Sequence, residues 1–135
     1  MILPLTEFVP NLKGDVMLPM VNFGIIVLKA KEPFVDWNNN LEGDGRKFSR
    51  EEVNENPTAY IIPEMEVPGD LENYLQDNYS DLFRNELYKW WRNEEDWPEN
   101  LDYKKFREWF EVQYSPVVFD GHPEKGPTLI KREQL

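Results

Sequence analysis

The side chains of this sequence with chemical potential are carboxylates and aromatics, because the usual nucleophiles and soft ligands are nearly absent. There is no cysteine, and the one histidine, His122, sits between Gly121 and Pro123. Histidine-rich and thiolate zinc sites are therefore excluded by count. A Ser–His–acid arrangement would have to use His122, yet no strand–turn–helix serine motif accompanies it, and it reads as a loop histidine. Gly43-Asp44-Gly45 lacks the lysine and the strand-to-helix setting of a phosphate-binding loop. Carboxylates remain. Glu94, Glu95, Asp96 and Glu99 crowd one segment, and hard cations favour such oxygen clusters, but the glycine-centred spacing of a calcium loop is missing. A solvated acidic loop is the plainer reading, and no metal or cofactor is expected. Asp36 is a second candidate. It stands beside Trp37 just after the first predicted strand, and a carboxylate against an aromatic wall has a raised pKa and can serve as an acid. The competing reading is an exposed helix residue.

The tryptophans carry more information. Trp90, Trp91 and Trp97 fall within eight positions and are interleaved with charge. Adjacent residues on a helix point about 100° apart, so one of Trp90 and Trp91 is expected in the core and the other at its rim. Tryptophan is enriched at interface hot spots, where its large surface is desolvated. Trp90, Trp91, Trp97, Glu94, Glu95 and Asp96 are thus the candidate partner-binding set, weighed against plain core packing. Asp36 and Trp37 form the alternative pocket.

These residues need elements to place them. Leu71, Tyr74, Leu75, Tyr79, Leu82, Phe83, Leu87, Trp90 and Trp91 recur at three- and four-residue spacing. This predicts one long amphipathic helix over Asp70–Trp91, with Glu72, Asp77, Asp81 and Glu86 turned outward. Asp70 is its predicted N-cap, after the turn Pro68-Gly69. A second helix, capped by Asp102, is expected over Tyr103–Phe110. Val21–Lys29 reads as a central strand covered on much of both faces, with Gly24 marking a bulge or a close backbone approach. Pro33 suits a first helical turn, followed by Phe34, Trp37 and Leu41 at helical spacing. Ser49 and Glu52 fit a capping box, in which each side chain accepts from the other's amide. Thr58–Glu64 is a second strand, placed at an edge by Pro63. Val112–Phe119 is a third, interrupted by Pro116, and Leu129-Ile130 suit a short fourth.

The order of elements predicts an α+β domain: a small three- or four-stranded sheet with helices packed on it. Both helical connections are long enough for parallel neighbours, so the strand order stays open. An irregular arm is expected over 1–19, the domain over 20–121, and a loop and tail over 122–135.

At 135 residues the size is that of one domain with a real core, and five Trp, six Tyr and eight Phe argue against a disordered chain. The formal charge is −11. From Ile61 to Glu111 fourteen Asp and Glu face six Lys and Arg, leaving this segment eight charges negative. Such a surface repels phosphate backbones and disfavours nucleic acid as a partner. No stretch approaches the roughly 20 apolar residues of a membrane span. Met1–Leu5 lacks the basic start of a secretory signal.

Several short motifs occur in a characteristic order: Gly24-Ile25-Ile26-Val27-Leu28-Lys29, Pro33-Phe34-Val35-Asp36-Trp37, Asn56-Pro57-Thr58-Ala59-Tyr60-Ile61-Ile62-Pro63-Glu64, Trp97-Pro98 and Phe106-Arg107-Glu108-Trp109-Phe110. In that order they resemble a family of small acidic bacterial proteins, over about 20–120. The resemblance implies a cytoplasmic bacterial protein and brings no activity, cofactor or catalytic residue. The functional expectation is a non-enzymatic acidic interaction module of inhibitor or immunity type, binding a protein with a basic surface. The alternative is a small carboxylate-using enzyme or a metal- or small-ligand-binding protein built on Asp36. A third reading is a homo-oligomer joined through an exposed tryptophan.

Overall fold

β1 (Phe23–Ala30) is the middle of a three-stranded antiparallel sheet of order β2–β1–β3, in a computed structural model that describes residues 17–130. Around it the chain runs α1 (Glu32–Asn39), α2 (Arg50–Val53), β2 (Thr58–Pro63), α3 (Asp70–Trp90), a single 3₁₀ turn (Glu94–Asp96), α4 (Tyr103–Trp109) and β3 (Phe110–Ser115). This is the α+β architecture that the order of elements predicts. Both neighbours run antiparallel to β1, with Ile25 opposite Ile61 on one side and Ser115 on the other. Residues 1–16, and with them most of the predicted arm, lie outside the described residues. Pro19–Val21 do not: they pair along 118–120, through Val21 N–H to Val118 O at 2.8 Å and Asp120 N–H to Pro19 O at 2.8 Å.

The residues of β1 alternate strictly between buried and half-buried. Ile26, Leu28 and Ala30 join Ile62 of β2 and Phe110 of β3 in one core with Phe34, Phe83, Leu87 and Phe106 from the helices. The opposite face, with Phe23, Ile25 and Val27, is only half-covered, and Ile61 beside it is 59 % exposed. Across the strands Ile25 of this face stands opposite Ile61. Gly24 is a close approach as expected: a Cβ there would stand 3.1 Å from Tyr114 Cε1 and 3.3 Å from the Ser115 carbonyl.

The predicted local signals are mostly realised. Pro33 lies in the first turn of α1, and β2 is an edge strand ending at Pro63. Ser49 Oγ accepts from Glu52 N–H at 3.1 Å, while the Glu52 carboxylate accepts from Ser49 N–H at 3.0 Å. Asp102 caps α4 by accepting from Lys105 N–H at 2.7 Å. Asn54 supplies something the sequence reading missed. Its amide mimics a strand neighbour for Ala30, accepting the Ala30 N–H at 2.8 Å and donating to the Ala30 carbonyl at 3.0 Å.

Four details differ. Asp70 does not cap α3: Gly69 holds the cap position at φ 97°, and the Asp70 carboxylate turns back to accept from Glu66 and Val67 N–H at 2.9 and 3.0 Å. It thereby closes the turn before the helix. Glu86 faces inward rather than outward. β3 starts at Phe110, so that residue ends the stripe of α4 as a strand residue. Leu129 and Ile130 pair with no strand among the described residues and are exposed, at the end of a long irregular stretch that stays in solvent.

Candidate functional site

α3 ends where Trp91 swings into extended backbone at φ −154°, its N–H still bonded to the Leu87 carbonyl. The predicted 100° relation between Trp90 and Trp91 therefore does not hold, since Trp91 is no longer helical. Both are half-buried. Trp90 packs on the core and meets Phe48 edge-on, while Trp91 stays at the rim. Beyond it Asn93 caps the 3₁₀ turn by accepting from Glu95 N–H at 3.1 Å.

Three indoles then fix this corner. Trp91 Nε1 donates to Asp96 Oδ2 at 2.8 Å, Trp97 Nε1 to the Trp91 carbonyl at 2.8 Å, and Trp37 Nε1 to the Asp96 carbonyl at 3.1 Å. Asp96 is the hub, and it joins the two candidate sets of the sequence reading, because Trp37 comes from α1, 59 residues away. A half-buried indole keeps its apolar body covered only if its N–H finds a partner, and here each partner lies in the same short segment. Glu94, Glu95 and Asp96 all stay exposed.

Two depressions flank the corner. One, of about 630 Å³, is lined by Trp37, Asn40, Leu41, Glu42, Trp91 and Asp96. Asp36 is not on its wall. It is exposed on α1, because consecutive helix residues diverge, so Trp37 enters the cleft without its neighbour. The premise of an acid pressed against an aromatic wall is therefore missing at Asp36. The other depression, of about 720 Å³, is a groove bounded by Tyr60 of β2, by Asp81, Arg84 and Tyr88 of α3, and by Glu94 and Trp97. Arg84 Nη2 lies 2.5 Å from Glu94 Oε1, and its guanidinium sits 5.1 Å above the Trp97 ring.

Beside this groove is the residue that the sequence reading placed wrongly. Glu86 is 5 % exposed. Its carboxylate accepts from the Tyr60 hydroxyl and from Lys89 Nζ at 3.3 Å, while Asn85 Nδ2 donates to the same hydroxyl at 2.9 Å. Lys89 reaches on to the Thr58 hydroxyl. The signal was present in the spacing: 79, 83, 86 and 90 share one helix face, so position 86 falls in the core stripe whatever its charge. A buried carboxylate needs such donors, since unpaired burial of the charge is strongly unfavourable.

Farther along α3, Glu72 accepts from Tyr103 Oη at 2.7 Å and Arg107 Nη1 at 3.0 Å, tying α3 to α4. The Tyr103 hydroxyl, chiefly, with the Arg107 charge, holds the Glu72 carboxyl below its ordinary value. His122 is an exposed loop residue whose N–H bonds to Asp120. Among the described residues no three His, Asp or Glu side chains gather as a metal site, and no helix is long and apolar enough to cross a membrane. Compared with family models, curated proteins and solved structures, the chain matches none. Fold and site together define a helix-backed three-stranded antiparallel α+β protein with a tryptophan-braced acidic corner.

Proposed function

We propose that this chain is an acidic protein-interaction module of the bacterial cytoplasm, binding a partner with a basic surface in the manner of an inhibitor or immunity protein. One observation carries the reading: the three exposed carboxylates of the 94–96 turn are mounted on a support fixed by the indoles of Trp37, Trp91 and Trp97. Side chains on a rigid base lose less freedom on association, which favours binding. A chain of net charge −11 also steers basic partners toward itself. The tryptophans at the rim supply the apolar area that charge alone lacks.

The test immobilises the whole chain and measures binding of a panel of basic proteins across a salt series. Binding of at least one member at about 50 mM salt, weakening by about 200 mM, is expected. The triple variant Glu94→Gln, Glu95→Gln, Asp96→Asn keeps one acceptor oxygen on each side chain and removes the charge, and it should bind more weakly. The reading fails if no basic protein binds in a salt-sensitive way, or if the triple variant binds as well as the wild type.

A further inference from the structure

We infer that the groove between β2, α3 and Trp97 is a socket for an arginine side chain presented by the partner protein. The inference rests on the interaction-module reading and adds to it the place and the kind of side chain. Around Arg84, which also lines the groove, the walls combine three aromatic side chains, Tyr60, Tyr88 and Trp97, with two carboxylates, Asp81 and Glu94. Aromatic faces attract cations, and among protein cations the guanidinium is flat, weakly hydrated and able to stack while its edges bond to carboxylates. A lysine ammonium is a compact, strongly hydrated point and gains less from such walls.

The chain displays this chemistry on itself. Arg84 stacks on Trp97 at 5.1 Å and pairs with Glu94 at 2.5 Å, and Arg92 lies 5.3 Å above Tyr88. Two walls of the groove thus already hold a guanidinium each. Arg84 is an occupant that can be displaced. Its side chain is 50 % exposed and Glu94 is 59 % exposed, and ion pairs so open to water are weak. The groove volume of about 720 Å³ leaves room for a second side chain. The partner's identity as a basic protein follows from the charge of the segment that supplies every wall residue but Tyr60: residues 61–111 are eight charges negative.

The experiment uses the full chain and two probes, a short glycine-spaced peptide with two arginines and the same peptide with two lysines. Binding is read from the indole N–H resonance of Trp97 and from titration affinities. The arginine peptide should shift that resonance and bind more tightly than the lysine peptide. Arg84→Ala, which vacates the ring, should tighten arginine-peptide binding by roughly threefold. Lys104→Ala removes the same charge from an exposed site on α4 and should change it by less than half as much. Asp81→Asn, an exposed and conservative change, should weaken it. Equal affinities for the two peptides, an unmoved Trp97 resonance, or an Arg84→Ala effect no larger than that of Lys104→Ala would each overturn the socket. Salt-sensitive binding of a basic protein in the preceding experiment would survive such a result, so the two failures are separable.

Discussion

Replacing Tyr60 with phenylalanine removes one hydroxyl and leaves the strand's apolar pattern intact. In the wild type that hydroxyl donates to Glu86 and accepts from Asn85 at 2.9 Å. Glu86 is 5 % exposed, so water replaces the lost donor only poorly, and Lys89 at 3.3 Å is left to balance the charge. A hydrogen bond to a charged acceptor contributes about 1.5–3 kcal/mol, and an expected loss of about 2 kcal/mol follows for Tyr60→Phe. On a domain of this size that loss lowers the Tm by roughly 6–8 °C. Urea unfolding followed by tryptophan fluorescence should show an earlier midpoint with an unchanged slope. Glu86→Met in the same background removes the buried charge that needed the hydroxyl, and replacing both partners by apolar groups is often nearly neutral. The double variant should therefore be less destabilised than the sum of the singles, with a coupling of about 1 kcal/mol or more. A Tyr60→Phe midpoint within about 0.5 kcal/mol of wild type, or strict additivity in the cycle, would refute the account of a buried carboxylate held by its donors.

Three further outcomes are expected. Ser49→Ala breaks the capping box of α2 and should cost about 1 kcal/mol in urea unfolding, with Ser49→Asp largely restoring it. Gly24→Val places a Cβ 3.1 Å from Tyr114 and 3.3 Å from the Ser115 backbone, and should lower stability by about 1–3 kcal/mol; a neutral result would mean that β1 and β3 separate easily. Glu52, Asp70 and Glu72 are held below their ordinary values of 4.5, 3.8 and 4.5, chiefly by the Ser49 amide, the Val67 amide and the Tyr103 hydroxyl. Because the folded values are depressed, the unfolded chain takes up protons first as pH falls. Their contribution is full above about pH 5 and is lost as pH drops through the folded values, so urea midpoints should decline as the pH falls below about 5. A midpoint that holds constant as the pH is lowered would contradict these assignments.

What the sequence determined by itself is what short-range physics controls. The apolar spacing of 71–90 sets α3, because a 3.6-residue period leaves one face to bury. Pro33, the Ser49–Glu52 box and Asp102 mark helix starts, because their partners lie within a turn. Pro63 marks an edge strand, because it cannot donate to a ladder. Glu86 was legible in the spacing and lost to its charge: the stripe placed it inside, and only Tyr60 and Lys89, arriving from β2 and the next turn, show how that is tolerated. The acidic corner was legible as composition, and the tertiary structure decided its form. Nothing near Asp96 announces that Trp37 will reach it from α1, whereas the local pattern at Asp36 leaves open both an aromatic wall and the solvent-exposed place it takes. The antiparallel order β2–β1–β3 is of the same kind, because pairing between strands depends on contacts among residues far apart in the chain, for which a local pattern carries no address.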